Sequence, residues 1–186
     1  MLRRLVCLLI VPQLLLAATT AAAAVVEAGA DHLVLNYTLP VKATPAKAYA
    51  ATVDIAHWWS PDHTYSGDSK NLRIEARAGG CFCEQLKNGS VEHLRVVLAM
   101  PGQMLRLSGG LGPLQSGAIS GTLTFEYKGG KDGNSAVAVS YLISGYFGGG
   151  LDKLGGAVDD VLGSQLQRLQ RLVDSGSAEV GPKSPP

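Results

Sequence analysis

A chain of 186 residues suits one domain and leaves little room for two. Its formal charge of +1 leaves no basic stripe for nucleic acid and no Lys/Arg cluster for an anionic membrane surface. A hydrophobic fraction of 46%, 23 glycines and only 6% aromatics exclude a disordered chain and point to a modest core joined by many turns.

Residues 1–24 read as a secretory signal peptide. Arg3 and Arg4 form a positive start, residues 5–16 are almost wholly apolar, and residues 19–24 are small. The A-x-A pattern occurs at Ala22 and Ala24 and again at Ala28 and Ala30, so cleavage is expected somewhere in 24–30. The apolar run falls short of the ~20 residues that cross a bilayer. The expected location is therefore periplasmic or secreted, with no stable membrane insertion after cleavage. Losing Arg3 and Arg4 from the 16 basic residues leaves 14 against 15 acids, a net charge of −1.

The remaining chain predicts a domain over 31–174 and a disordered tail over 175–186. Leu33, Leu35, Tyr37 and Leu39 alternate as on a strand. Thr44-Pro45 is an N-cap followed by proline in the first turn, starting a short helix through Val53. Asp54 caps a second short helical piece carrying Ile55, Trp58 and Trp59. Residues 60–70 are polar and read as a loop. Short strands follow at 72–76, 81–86, 91–100, 104–108, 119–128 and 136–144, separated by turn residues such as Gly79-Gly80, Asn88-Gly89 and Pro101-Gly102. From Leu154, apolar residues at 158, 161, 162, 166, 169, 172 and 173 mark one side of a long helix.

This pattern predicts an α+β, helix-grip architecture. A curved seven-stranded antiparallel sheet wraps a long C-terminal helix, with two short helices after the first strand. The sheet has one apolar face to cover, and only the last helix is long enough to cover it. A curved sheet cannot touch a straight helix along its whole length, so a cavity is expected between them.

Several segments carry a family resemblance. Leu39-Pro40 through Pro45-Ala46-Lys47-Ala48-Tyr49, Ala56-His57-Trp58-Trp59, Gly79-Gly80-Cys81-Phe82-Cys83-Glu84 and Met100-Pro101-Gly102-Gln103-Met104-Leu105-Arg106-Leu107 stand in chain order. Together they resemble the START-like, or SRPBCC, superfamily over residues 32–174. The branch most similar is that of polyketide cyclases and heat-shock ATPase activator homologues. The resemblance implies a cavity fold but no single activity, because the superfamily spans lipid carriers, hormone receptors, cyclases and co-chaperones. The cysteines at 81 and 83 depart from the family pattern, and an export signal argues against an ATPase co-chaperone.

Trp58, Trp59, His63 and Tyr65 form the densest aromatic cluster and are candidates for a pocket mouth. Phe82 and Glu84 share a strand face, which makes Glu84 the candidate buried acid. Leu142 and Tyr146 complete the candidate ligand-binding set, and residues 109–116 read as a lid or a wide turn. Cys81 and Cys83 point to one side of a strand and admit three readings: packed thiols, a disulfide, or a metal or redox site. The histidines His32, His57, His63 and His93 show no tight ligand spacing, so no metal and no cofactor are expected. No Gly-x-Ser-x-Gly elbow or other catalytic set is present. The function expected is an exported binding protein whose partner is a small hydrophobic molecule. The alternatives are a cyclase- or hydrolase-like enzyme using a cavity acid or histidine, and a metal-handling protein using the cysteine pair.

Overall fold

The computed structural model describes residues 24–180. The expected signal segment up to residue 23, and the tail beyond 180, lie outside the described residues. Strands β1 (Val25–Gly29) and β2 (His32–Val41) come first, then helix α1 (Pro45–Val53) and short 3-10 turns at Ile55–His57, Pro61–His63 and Ser69–Asn71. Strands β3 (Leu72–Ile74), β4 (Cys81–Leu86), β5 (Gly89–Met100), β6 (Met104–Ser108), β7 (Ala118–Gly129) and β8 (Ser135–Tyr146) follow, and helix α2 (Gly155–Ser175) closes the domain.

The strands form one antiparallel sheet in the order β1-β2-β8-β7-β6-β5-β4-β3. From β3 onward each strand pairs with the next, and β2 then pairs with β8 along its whole length, from His32↔Ser144 to Val41↔Ser135. The chain therefore leaves β2 on one side of the sheet and starts β3 at the opposite edge. Helix α1 and the 3-10 turns make that crossing. Thr44 caps α1, its Oγ1 accepting from Lys47 N at 3.4 Å, with Pro45 in the first turn. Asp54 makes no such cap; its carboxylate instead pairs with His57 at 2.7 Å.

The expected α+β helix-grip architecture is the one present, with eight strands rather than seven. The additional strand is β1. Its residues do not alternate in burial, and its sequence adjoins the alanine-rich segment. Its state comes from pairing with β2, at Glu27↔Val34, Ala28↔Leu33 and Gly29↔His32. The ordered unit also runs past 174. Gly176 ends α2 in the left-handed region at φ 80°, Ala178 is buried, and Arg171 Nε donates to its carbonyl at 2.8 Å. Arg168 pairs with Glu179 at 2.6 Å.

The core is built from alternate strand residues meeting one side of α2. Leu33, Leu35, Val137, Val139, Tyr141 and Ile143 face inward, and Leu162, Leu166 and Leu169 of α2 are buried with them. Polar bonds lock the helix to the chain that follows α1. Gln165, wholly buried, accepts from Ser60 N at 2.7 Å, and Arg168 Nε donates to the Trp58 carbonyl at 2.7 Å. Replacing Leu162 or Leu166 by Asp is expected to unfold the domain. An unpaired buried carboxylate costs several kcal/mol, comparable with a domain's ~5–15 kcal/mol of stability. Thermal unfolding followed by circular dichroism checks this; near-normal melting of both variants would mean that α2 does not cover the sheet.

Candidate functional site

Helix α2 lies against β1 and β2 and diverges from the far strands. The gap is a cavity of about 380 Å³, near the lower end of the ~300–1,000 Å³ typical of small-molecule sites. Its floor is His93 of β5 and Tyr141 of β8. Val158, Val161 and Leu162 of α2 form one wall. Trp59, His63 and Tyr65 form the opposite wall, and Leu111, Pro113 and Leu114 of the glycine-rich loop close one end with Phe147 and Leu154.

The polar end of this cavity depends on an irregularity in β5. Phe82 pairs with Leu94 and Cys83 pairs with Glu92, so His93 is an extra residue on β5 with no partner of its own on β4. Such a bulge turns two consecutive side chains to one face. His93 and Leu94 are accordingly both buried. His93 thereby meets Glu84, which shares the inner face of β4 with Phe82; the ring Nε2 lies 2.9 Å from Glu84 Oε2.

Glu84 has no exposure at all. It accepts from Tyr65 N at 3.1 Å and from Ser66 N at 2.5 Å in addition to His93. Burial pushes its carboxyl upward, but the hydrogen bonds from Ser66, Tyr65 and His93 together outweigh that and hold it below the usual carboxylate range. Burial pushes the His93 imidazole down, and Glu84 restores only part of the shift, so the ring is neutral near pH 7. A carboxylate that accepts from two backbone N–H groups also accepts from the ring, so Nε2 carries the proton. Nδ1 is buried with no hydrogen-bond partner among the described residues. Tyr65 stacks on the ring at 5.8 Å between centroids, and Phe82 packs against it at 4.9 Å.

Tyr141 has its hydroxyl fully occupied. It donates to the Gly109 carbonyl at 3.1 Å and accepts from Leu111 N at 3.0 Å, which pins the glycine-rich loop over the cavity. Burial pushes its hydroxyl up to about 12, so it stays protonated. Gly121 is required beside it, because a Cβ there would lie 2.7 Å from the Tyr141 ring and 2.9 Å from the Gly109 carbonyl. Gly109 itself sits at φ +133°, in the region that favours glycine.

The candidate residues are placed as follows. Trp59, His63 and Tyr65 line the cavity. Phe82 and Glu84 stand directly behind His93 rather than on the surface of the cavity. Trp58 is a core residue, 1% exposed, donating to the Thr52 carbonyl at 3.2 Å. Leu142 and Tyr146 are corrections. Leu142 is 49% exposed on the outer face of β8, because the strand turns Tyr141 inward and its neighbour outward, and Tyr146 is 75% exposed while Phe147 reaches the cavity. Tyr141 was open to the same alternation, since it continues Val137 and Val139. His93 was not, because its orientation depends on the bulge.

Cys81 and Cys83 form a disulfide on the side of β4 opposite Phe82 and Glu84. Both sulfurs are therefore consumed, and neither is available as a thiolate for a metal. His32 and His57 bond to Asp31 and Asp54 at the surface. Among the described residues no group of three His, Cys, Asp or Glu side chains is placed to hold a metal ion.

No family model matches the chain, and no curated protein matches it in sequence. Solved structures do. A conserved protein of unknown function from Enterococcus faecalis, EF2215, superposes with a TM-score of 0.60 at 11% identity, covering 86% of this chain and 81% of that one. Ara h 8.0201 gives 0.52 at 14% identity over 76% and 97%. DynU16, from the dynemicin biosynthetic locus, gives 0.50 at 18% identity, over 78% of this chain but only 48% of its own. At these identities the likeness defines the fold alone, an α+β helix-grip architecture.

The buried pair gives a pH signature. Glu84 is depressed in the folded state, so its stabilisation is present above its unfolded value and lost as pH falls through the folded one. His93 is also depressed, so the unfolded chain binds a proton below 6.5 before the folded chain does. Both effects lower stability as pH falls. His93→Gln keeps a donor toward Glu84 but does not titrate. Melting temperatures recorded from about pH 7 to 5.5 are expected to fall more steeply for the wild type than for this variant; parallel profiles would contradict a buried, neutral His93.

Proposed function

We propose that this protein is an exported carrier or receptor for a small lipophilic molecule, held between the sheet and α2. The observation that carries the proposal is the chemistry of the cavity wall. Its surface is mostly aliphatic and aromatic, with Asp62, His63 and Thr64 the polar residues of the lining besides His93 and Tyr141. Tyr141 is spent on the glycine-rich loop, and Trp59 Nε1 donates to the His63 carbonyl at 2.9 Å. Such a wall offers a ligand apolar burial at roughly 25 cal/mol per Å² and few directional contacts. Export draws support from the signal-like segment and from the Cys81–Cys83 disulfide, because such bonds persist in oxidising compartments.

One observation favours a second reading, proton-transfer catalysis on the bound molecule. His93 on the cavity floor is oriented by a buried carboxylate, the arrangement by which an imidazole base is held in one tautomer. The neutral apolar fluorophore N-phenyl-1-naphthylamine separates the two. Val161→Trp, which fills the cavity from α2, is expected to weaken probe binding about tenfold or more, a loss of ~1.4 kcal/mol. Leu142→Trp, on the outer face, is expected to leave it unchanged, and Glu84→Gln to leave it within a few fold. Unaltered binding by Val161→Trp would remove the cavity as the site. Loss of turnover of an ester or polyketide-like substrate in Glu84→Gln, with fold and probe binding intact, would put catalysis in place of carriage.

A further inference from the structure

We propose that the exported chain is cut between Ala23 and Ala24, and that the Asp159 carboxylate captures the α-ammonium group so created. The inference rests on the export reading. Besides the A-x-A matches that end at Ala24 and Ala30, Ala21 and Ala23 make a third, which allows a cut after Ala23, one residue before the range expected from the sequence. Sequence alone does not rank them, but the fold does.

A cut after Ala30 discards β1. It also discards the Ala30 carbonyl, which accepts from Leu151 N at 2.9 Å at the approach to α2. Val25 would be lost from the face of Gly155, where a Cβ would lie 3.7 Å from its methyl groups. A cut after Ala24 keeps β1 but removes two bonds made by Ala24 itself. Its carbonyl accepts from Asn36 N at 2.9 Å, extending the ladder to β2. Its nitrogen lies 3.2 Å from Asp159 Oδ2. A cut after Ala23 keeps every one of these contacts.

The surroundings of that nitrogen suit a cation. The other Asp159 oxygen accepts from Tyr37 at 2.9 Å, which fixes the carboxylate, and Asp160 follows next on α2. Among the described residues neither Asp159 nor Asp160 is paired with a basic side chain. In the uncut chain the nitrogen is a neutral amide. Hydrolysis adds the oxygen of water to the Ala23 carbonyl carbon and breaks its bond to the Ala24 nitrogen. Ala23 leaves as a carboxylate on the leader, and the nitrogen takes up a proton to become ammonium. The amide already donates to an ionised carboxylate; cleavage adds a full positive charge opposite it, and that attraction tightens the join between β1 and α2.

The test starts from the full chain made in a Gram-negative host, with intact mass measured on periplasmic protein. The expected amino terminus is Ala24. A terminus at Val25 or Asp31 overturns the inference and leaves export standing, whereas an intact chain confined to the cytosol overturns export and the inference with it. The latch has its own readout in the processed protein. Selective Nα-acetylation is expected to lower the melting temperature by about 2–4 °C, and to have no such effect in Asp159→Asn. Equal effects of acetylation in both backgrounds overturn the latch.

Discussion

A carboxylate with no solvent exposure cannot stand inside a sheet without partners, and much of this molecule is arranged around supplying them to Glu84. Two backbone N–H groups come from the loop at Tyr65 and Ser66, and the third donor is the His93 ring. The loop that carries Trp59, His63 and Tyr65 is thereby tied to the inner face of β4. The bonds to Glu84 set these residues beside the cavity, where they form one of its walls. The acid itself stays behind the wall, so it shapes the site without facing whatever occupies it.

The opposite wall is held by different means. Helix α2 is anchored by Leu162, Leu166 and Leu169 in the core, and by Gln165 and Arg168 bonded to the backbone at Ser60 and Trp58. Its anchors therefore reach the same segment that Glu84 fixes from the sheet side. Sheet, loop and helix are cross-braced through residues 58–66, and the cavity is what the curvature of the sheet leaves between them. The disulfide lies on the outer side of β4, across from the bulge that aims His93 inward. The bulge on β5 and the disulfide on β4 thus lie on neighbouring strands beside the floor of the cavity.

The architecture was largely legible in the sequence, because it rests on periodicity. Alternation at Leu33, Leu35 and Leu39, turn residues between short strands, and the helical spacing from Leu154 to Val173 are each local signals that the tertiary structure reinforces. Strand β1 was hidden because a five-residue stretch with no alternation, next to an alanine-rich segment, carries no such signal and depends on β2 for its state. The site was legible in part. Glu84 followed from parity with Phe82, and the aromatic loop from its composition. Leu142 failed because parity names two faces without saying which one is inside. His93 was illegible, since a bulge breaks the two-residue period and leaves no trace in residue type.

The central claim is that the cavity between α2 and the sheet holds a small apolar molecule in the working protein. Native mass spectrometry of the protein purified from its own host tests it most directly. The account predicts a mass excess equal to one small organic molecule, released on organic extraction and missing from Val161→Trp. Protein at its bare polypeptide mass that takes up no apolar molecule on titration would contradict it, as would an excess retained undiminished when the cavity is filled.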